Sequence, residues 1–442
     1  MSIHPSTQKN CLDRKPTMKS IEQNLDIPTE MRAVVLDGTG FEHLHLRKFS
    51  TPRPGPRQML ARVDAAGICT SLIKLVEQGS DHQLVYEWDL TRWPLILGDE
   101  GAVTLVEVGE QLRGSYHPGE RYVVQPAVDH EPINHRERYR EGGRGIQKVA
   151  VSYTLGGHLA EYILITEEIL EADCLLPIPD PALPYSHAAT SEPISCVISA
   201  QDHHMHLTQN ERLAPRSVLK GLKPGGVTVI IGAGAMGRMH VDLSMSYAPR
   251  AVIVADFIDE RLERTQALFG ARAKQLGIAL FTINPSKVDL KEFVGEQTNH
   301  HGADDAIIAV GSRQAIESAG DYLGIGAVLN LFGGLKKGEG IVGLDTIAIH
   351  YKAINVTGSS GGSPWDIARA LELMASGQIN PAVHITRIGD LEHAIDLLKM
   401  VKAQQIDGKA IVYPHRRTKE IRTVQSWTAE DEQVYLEGLT EQ

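Results

Sequence analysis

Residues 227–237, VTVIIGAGAMG, decide the fold. An apolar strand runs into a glycine-rich turn, and a helix begins after the turn. Gly232 allows the tight turn, Gly234 lets a pyrophosphate approach the backbone, and Gly237 lets the helix pack close to the strand. Glycine-rich turns are common, so the motif is informative only in this context. The stretch predicts the strand–turn–helix unit of a dinucleotide-binding domain.

The residues after the turn indicate which dinucleotide binds. The helix has Ala235 and Met236 in its first turn, where free N–H groups and a partial positive charge favour phosphates. A second apolar strand, AVIVADF, reaches Asp256 about 20 residues beyond the glycines. A carboxylate there accepts hydrogen bonds from ribose hydroxyls and repels a 2′-phosphate, which favours NAD, although nearby Arg261 could accommodate NADP. The alternative is a glycine turn with a helix-capping aspartate.

The pattern of elements changes twice along the chain. Short alternating strands with many turns precede residue 195, apolar strands and helices then alternate, and strand-like segments return near the end. Alternating strands and helices predict a parallel sheet covered on both faces, the doubly wound Rossmann architecture. We therefore expect an α/β plus β protein in which a Rossmann domain interrupts a β domain. The predicted divisions are an N-terminal extension (1–30), a β domain (31–195), a Rossmann domain (196–363), a return to the β domain (364–415) and a C-terminal tail (416–442).

Composition excludes several classes of function. The 442 residues are 42% hydrophobic and carry a formal charge of −11, which disfavours nucleic-acid binding. No apolar run is long enough for a membrane helix, and the N-terminus lacks the apolar core of a signal peptide. Neither a membrane nor a nucleic acid is expected as a partner, and a cytoplasmic location is expected. The cysteines are too widely spaced for a disulfide framework: Cys11, Cys69, Cys174 and Cys196.

Four side chains of the β-rich half could bind one metal ion: Cys69, Asp99, Glu100 and Glu192. A thiolate and carboxylates can hold zinc in a four-coordinate site with one position open to substrate. Such a cation would polarise a substrate oxygen and favour loss of hydride to a nicotinamide. Spacing alone does not group these residues, because a lone cysteine is usually a small core side chain and Glu192 could simply begin a helix.

A series of short motifs occurs in an order that resembles the medium-chain dehydrogenases, in particular their polyol and sorbitol dehydrogenase branch. The resemblance spans residues 31–415, and L-sorbose 1-phosphate reductases of this family also share a segment like 71–94 and a tail like WTAEDEQVYLEGL. It implies a GroES-like catalytic domain around the Rossmann domain, and a homodimer or homotetramer. The motifs are AAGICTS, LGDEGAV, VEVGE, HPGERYVV, GGHLAEY, SEPISCV, VIIGAGAMG and INVTGSS.

The resemblance also implies roles for individual residues. Cys69, Asp99, Glu100 and Glu192 map to the residues around catalytic zinc, with Cys69 and Glu100 also counted as catalytic, and Ser71 maps to a proton-relay hydroxyl. Asp99 stands where relatives have histidine, which makes the site more anionic, so another divalent cation could replace zinc. Lys74 stands where many relatives have a relay histidine; it could hold a substrate phosphate or move protons. We expect no structural zinc, because residues 125–150 contain no cysteine.

These residues predict metal-assisted hydride transfer between NAD and a secondary alcohol of a polyol, sugar or sugar phosphate. One alternative is a metal-free reductase of the same fold, and another is a non-catalytic NAD-binding sensor. Two further clusters favour solvated surfaces over sites. His203, His204 and His206 predict an exposed helix end rather than a metal cluster, and Arg136–Arg140 predicts a loop in water rather than an anion site.

Overall fold

The computed structural model describes residues 27–336 and 338–438. The predicted N-terminal extension lies largely outside these residues. Two large sheets organise the described chain, one mixed and one entirely parallel. The predicted fold class, α/β plus β with a Rossmann domain interrupting a GroES-like domain, is confirmed.

The first part of the chain forms short strands with irregular connections. The third strand is apolar along nearly its whole length because both of its faces are covered. The elements are β1 (Glu30–Leu36), β2 (Leu44–Ser50), β3 (Met59–Gly67), α1 (Ser71–Gln78), β4 (Leu95–Ile96), β5 (Glu100–Val108), β6 (Arg121–Val124), β7 (Ala127–Val128), β8 (Val149–Ala150), β9 (Tyr162–Ile165), α2 (Glu167–Glu171), β10 (Leu175–Pro177) and α3 (Tyr185–Ala189).

A buried helix and an antiparallel hairpin connect this part to the parallel sheet. The helix is α4 (Ser191–Asp202), and the hairpin pairs β11 (Met205–Thr208) with β12 (Ser217–Lys220). The sequence predicts helix through the HHMH segment, and this is wrong: the helix ends at Asp202 and residue 205 begins a strand.

Six parallel strands form the Rossmann sheet, in the order β15-β14-β13-β16-β17-β18. The chain adds β14 and β15 on one side of β13 and then adds β16, β17 and β18 on the other side. Ligands of such sheets bind at this switch point, outside the carboxyl ends of the strands. The elements are β13 (Val227–Ile231), α5 (Ala235–Ser244), β14 (Ala251–Ala255), α6 (Asp259–Gln275), β15 (Ala279–Ile283), α7 (Leu290–Gln297), β16 (Ala303–Ile308), α8 (Arg313–Glu317), β17 (Leu323–Leu331), α9 (Thr346–Lys352) and β18 (Asn355–Gly358).

The chain then returns to the first sheet and completes it. That eight-stranded sheet has the order β10-β6-β5-β3-β20-β19-β21, with β9 also paired to β3. The antiparallel pairing of β3 with β5 sets Gly67 opposite Glu100, so the end of one strand lies beside the start of the other. The last elements are α10 (Pro364–Ala375), β19 (Ile385–Gly389), α11 (Ala394–Lys402), β20 (Lys409–Val412), β21 (Arg422–Thr423) and α12 (Ala429–Glu437).

Candidate active site

The glycine-rich turn has the geometry that dinucleotide binding requires. Gly232 has φ of 107°, a left-handed conformation that favours glycine. A Cβ on Gly237 would lie 1.8 Å from the carbonyl oxygen of Gly232, so only glycine permits this helix–strand approach. A Cβ on Gly234 would meet no protein atom within 4 Å. Gly234 therefore borders open space at the start of α5, beside Ala235 and Met236 in its first turn.

Asp256 directly follows β14 and supports the turn. Its Oδ2 accepts from the Ala233 N–H at 2.8 Å, and its Oδ1 accepts from the Ile258 N–H at 2.9 Å. The Arg261 guanidinium lies 3.8 Å from Oδ2. Each carboxylate oxygen keeps a free lone pair, so binding the backbone leaves capacity for a ribose hydroxyl. The structure thus brings the predicted cofactor residues to one edge of the parallel sheet.

Three of the four predicted metal ligands converge. Cys69 Sγ and one carboxylate oxygen each of Glu100 and Glu192 lie within 4.8 Å of one another. Three elements deliver them: Cys69 follows β3, Glu100 begins β5, and Glu192 lies in the first turn of α4. We call this group the acidic centre.

Asp99 lies beside the acidic centre but outside that set of three. Its Oδ2 accepts a short hydrogen bond from the Ser71 hydroxyl. Its Oδ1 is buried and has no hydrogen-bond partner. The role of Asp99 as a fourth ligand stays a prediction, and the geometry shows a contact that the sequence does not predict.

Burial and neighbouring negative charges make Glu192, Asp99 and Cys69 hard to ionise. Burial, followed by the charges of Glu100 and Asp99, raises the pKa of Glu192 to about 8. Burial and the Glu100 charge raise the pKa of Asp99 to about 6. Burial and neighbouring carboxylates also raise the pKa of the Cys69 thiol. Loss of water is the larger cause in each of these three groups, and repulsion by nearby carboxylates adds to it.

Lys409 supplies a buried positive charge to this centre, and sequence analysis does not find it. Its ammonium group donates to Glu100 Oε1 at 2.5 Å and to the Ile68 carbonyl at 3.2 Å. Burial lowers its pKa, but the charges of Glu100 and Cys69 outweigh that effect, and the net shift is upward. No local pattern marks Lys409, because it lies 309 residues from Glu100 and joins it only through the pairing of β20 with β3.

The donor set fits a divalent cation. Asp99 Oδ1 and Glu100 Oε2 are buried oxygens without partners, and one lysine does not balance the neighbouring carboxylates and thiol. A thiolate with carboxylates is a zinc-type donor set, shifted towards harder cations by its oxygens. A cation would relieve the mutual repulsion that raises the pKa values of Glu192 and Asp99.

Ser71 and Lys74 occupy the first turn of α1 beside the acidic centre. The Ser71 hydroxyl also meets the buried phenol of Tyr153, another residue that sequence analysis misses. The exposed Lys74 reaches the loop after β17, where a Cβ on Gly334 would lie 3.7 Å from its Nζ. Gly334 and the turn at Gly232 both follow strands of one parallel sheet, so they share its carboxyl edge. Lys74 therefore links the helix turn beside the acidic centre to the edge of the sheet that carries the nucleotide turn.

The predictions for the remaining clusters have different outcomes. His204 and His206 are buried, so the prediction of an exposed helix end is wrong for both. His204 Nδ1 and His206 Nε2 lie 2.6 and 2.9 Å from the same oxygen of Asp305. They are buried because β11 packs against the Rossmann sheet, and sequence periodicity does not reveal this long-range contact. In the other cluster, Arg136, Glu137 and Arg140 are exposed as the charge pattern predicts. Tyr139 is buried and Arg138 packs over the Trp88 ring, so the prediction of a loop in water is wrong for these two residues.

Comparisons with known proteins agree with this architecture. Residues 55–180 match the alcohol dehydrogenase GroES-like domain, and residues 244–376 match the zinc-binding dehydrogenase family. The chain is 31% identical to mannitol-1-phosphate 5-dehydrogenase of Aliivibrio fischeri, covering 88% of this chain and 87% of that protein. It is 27% identical to L-sorbose 1-phosphate reductase of Klebsiella pneumoniae, covering 85% and 86%.

A solved structure, 2R,3R-butanediol dehydrogenase from Bacillus subtilis, has a TM-score of 0.67 at 21% identity, covering 87% of this chain and all of that one. With the sequence matches, this fold and site define an oxidoreductase. The chain belongs to the zinc-type medium-chain alcohol dehydrogenase family. Among the residues that the structure describes, no helix is long and apolar enough to cross a membrane.

Proposed function

We propose that the protein oxidises a secondary alcohol of a polyol or sugar phosphate with NAD, assisted by one divalent cation at the acidic centre. The observation that carries this proposal is the approach of the acidic centre to the edge of the parallel sheet. A three-ligand donor set within 4.8 Å lies beside Ser71, and Lys74 of the same helix turn reaches the carboxyl edge of the dinucleotide-binding sheet. This arrangement supports transfer of hydride from an alcohol at the acidic centre to a nicotinamide bound at that edge.

Cys69, Glu100 and Glu192 would hold the cation, with Asp99 as the proposed fourth ligand. The cation, preferably zinc, would supply Lewis acidity that favours the alkoxide form of the substrate. The protein's own task is to accept the hydroxyl proton. Ser71 takes that proton while passing its own to Asp99, and the substrate carbon loses hydride to the nicotinamide as its C–O bond becomes a carbonyl. The hydrogen bond from the Ser71 hydroxyl to Asp99 Oδ2 is the contact that this proton transfer requires.

The class of substrate is proposed from the relatives and from Lys74. The names of both curated relatives specify a sugar or polyol phosphate. The exposed Lys74 lies between the acidic centre and the carboxyl edge of the parallel sheet, where its ammonium group would bind a substrate phosphate. An open cavity of about 520 Å³ lies near α1, lined in part by Ser80, His82 and Arg140. The His82 ring stacks on Tyr153 with centroids 4.9 Å apart, so the cavity adjoins the Ser71 side of the site.

NAD is proposed over NADP because Asp256 ends the second strand of the Rossmann sheet. Its carboxylate would lie against the adenosine ribose, where it repels a 2′-phosphate. Family resemblance supports a homodimer or homotetramer. The widely spaced cysteines support a reducing compartment, and we propose the cytoplasm.

The test is metal analysis combined with an activity screen on matched substrates. Purified protein is assayed with zinc in both directions. Mannitol 1-phosphate is compared with mannitol using each of NAD and NADP, and sorbose 1-phosphate, a ketose, is compared with sorbose using each of NADH and NADPH. The proposal expects about one bound cation per chain, NAD preference and faster turnover of the phosphorylated partner. Turnover by metal-free protein would establish the metal-free reductase instead. NAD binding without turnover of any substrate would establish the sensor.

A further inference from the structure

Arg238 joins the dinucleotide turn to the catalytic domain. It directly follows Gly237 on α5, and its side chain is 1% exposed. One guanidinium nitrogen donates to the carbonyl of Ala233, inside the glycine-rich turn, at 2.6 Å. Another donates to Asp407 Oδ1 at 2.8 Å. Asp407 belongs to the segment before β20, which is part of the other sheet.

The segment that holds Asp407 also reaches the acidic centre. Lys409 is two residues further along and donates to Glu100. Between them, Gly408 has φ of 149°, and a Cβ there would lie 2.5 Å from the Thr386 side chain. The three-residue link is therefore packed tightly against β19 and has little freedom to absorb a displacement. A shift of Asp407 would be passed to Lys409.

We propose that Arg238 and Asp407 are positioning residues that couple nucleotide binding to the metal affinity of the acidic centre. The connection runs from Ala233 through Arg238, Asp407 and Lys409 to Glu100. Nucleotide at the turn fixes Ala233 and Arg238, which holds Asp407 and keeps Lys409 in place on Glu100. The centre is then preorganised for a cation. This inference rests on the proposed function for the identity of the two ligands.

The Arg238–Asp407 pair differs in its contacts from an ion pair that only stabilises the fold. Arg272 and Asp242 also form an ion pair beside the domain junction, but theirs contacts neither the turn nor the acidic centre. Arg238 contacts the turn through the Ala233 carbonyl, and its partner Asp407 lies two residues before Lys409, which donates to Glu100 of the acidic centre. Arg264 lies 3.7 Å from Asp407 as well, but it does not touch the turn. A structural pair would set stability, whereas a coupling pair also sets how one ligand changes the affinity for the other.

The experiment measures cobalt(II) affinity of the full-length protein with and without ADP-ribose. ADP-ribose occupies the nucleotide turn but has no nicotinamide to approach the metal, so any effect must pass through the protein. Cobalt(II) is followed by its visible absorption, and ADP-ribose by calorimetry. We expect ADP-ribose to tighten cobalt(II) binding about five-fold or more in the wild type, and cobalt(II) to tighten ADP-ribose by the same factor.

Asp407→Asn and Arg238→Met should reduce that factor below about two, and the double variant should reduce it no further, because both act in one connection. Arg238→Lys keeps the positive charge of the side chain and should retain part of the coupling between ADP-ribose and cobalt(II). Asp396→Asn, which changes an exposed aspartate paired with Lys399, is the matched control and should keep the wild-type factor. Circular dichroism checks that each variant is folded.

The coupling and the proposed function predict different binding results. If the wild type binds both ligands independently, or if coupling persists in both Asp407→Asn and Arg238→Met, the coupling is wrong while the proposed function stands. If the wild type binds neither ADP-ribose nor cobalt(II), the proposed function itself fails, and the coupling fails with it.

Discussion

The Ser71 hydroxyl donates to Asp99, the residue directly before Glu100 of the acidic centre. Asp99 is buried, and its other oxygen has no partner among the described residues. In the metal-free protein, burial and the Glu100 charge raise the pKa of Asp99 to about 6. Because a cation and a proton compete for the carboxylate, we expect the zinc affinity of the metal-free protein to fall as pH decreases through about 6. Zinc titrations from pH 5 to 8 measure this, and a zinc affinity that is independent of pH over this range would contradict it.

Asp99 variants separate a ligand from a base. Asp99→Ala should weaken zinc binding and lower turnover, because it removes both a donor and the Ser71 acceptor. Asp99→His should restore a nitrogen donor and retain or tighten zinc. Without the carboxylate acceptor, we expect its kcat to stay about 100-fold low. Zinc content and kinetics of both variants are the measurements. A bystander carboxyl would leave both quantities at wild-type values in Asp99→Ala.

Lys409 should control how readily the acidic centre ionises. Lys409→Met removes the cation that favours the charged forms of Glu192 and Asp99, so their pKa values should rise further. The decrease of zinc affinity on acidification should therefore begin at a pH higher by about one unit or more. Lys409→Arg keeps the charge and should shift this pH dependence less. Lys402→Met, an exposed lysine paired with Glu77 at 2.7 Å, is the control. An unshifted pH dependence of zinc affinity in Lys409→Met would show that the charge of Lys409 is unimportant.

Local sequence signals predict local structure well in this chain. The turn at Gly232 and Gly237 follows from residues that contact one another within a few positions, and the structure has it as expected. The acidic centre is different, because Cys69 and Glu192 meet only through tertiary packing. The family resemblance predicts that Cys69 and Glu192 lie together, whereas their spacing in the sequence does not.

Contacts that depend on distant strands are the ones that the sequence does not reveal. Lys409 reaches Glu100 because β20 returns beside β3. His204 is buried because it meets Asp305, which lies 101 residues away. In each case a buried charge or imidazole has its partner far along the chain, so composition and periodicity favour an exposed position. The Ser71–Asp99 contact is closer in sequence, but side-chain orientation decides it.

Asp256 should set the choice of cofactor. Asp256→Ser removes the negative charge next to the ribose site and leaves Arg261 without its carboxylate neighbour. We expect the ratio of kcat/KM for NADP to that for NAD to rise about ten-fold or more, because repulsion of the 2′-phosphate is lost. Asp259→Ser, three residues further along and paired with the exposed Lys287, should leave the ratio unchanged. An unaltered ratio in Asp256→Ser would place specificity elsewhere.

The buried group of His204, His206 and Asp305 should make stability depend on pH. The two histidines lower the pKa of Asp305 to about 2, and its carboxylate raises the pKa of His206 despite burial and the charge of Lys223. The contribution of Asp305 is present above its ordinary value of 3.8 and is lost as pH falls through about 2. The contribution of His206 is present below 6.5 and is lost as pH rises through its raised pKa.

Thermal unfolding tests this directly. Asp305→Asn should lower Tm at pH 6 by about 3 °C, because it breaks a buried charge interaction. The difference in Tm between wild type and Asp305→Asn should become smaller as pH rises through the raised pKa of His206, because His206 then loses the charge that the Asp305 carboxylate stabilises. Asp396→Asn, at an exposed pair, should have the wild-type Tm at every pH. A difference in Tm that stays the same from pH 6 to pH 9 would mean that the proton on His206 does not contribute to stability.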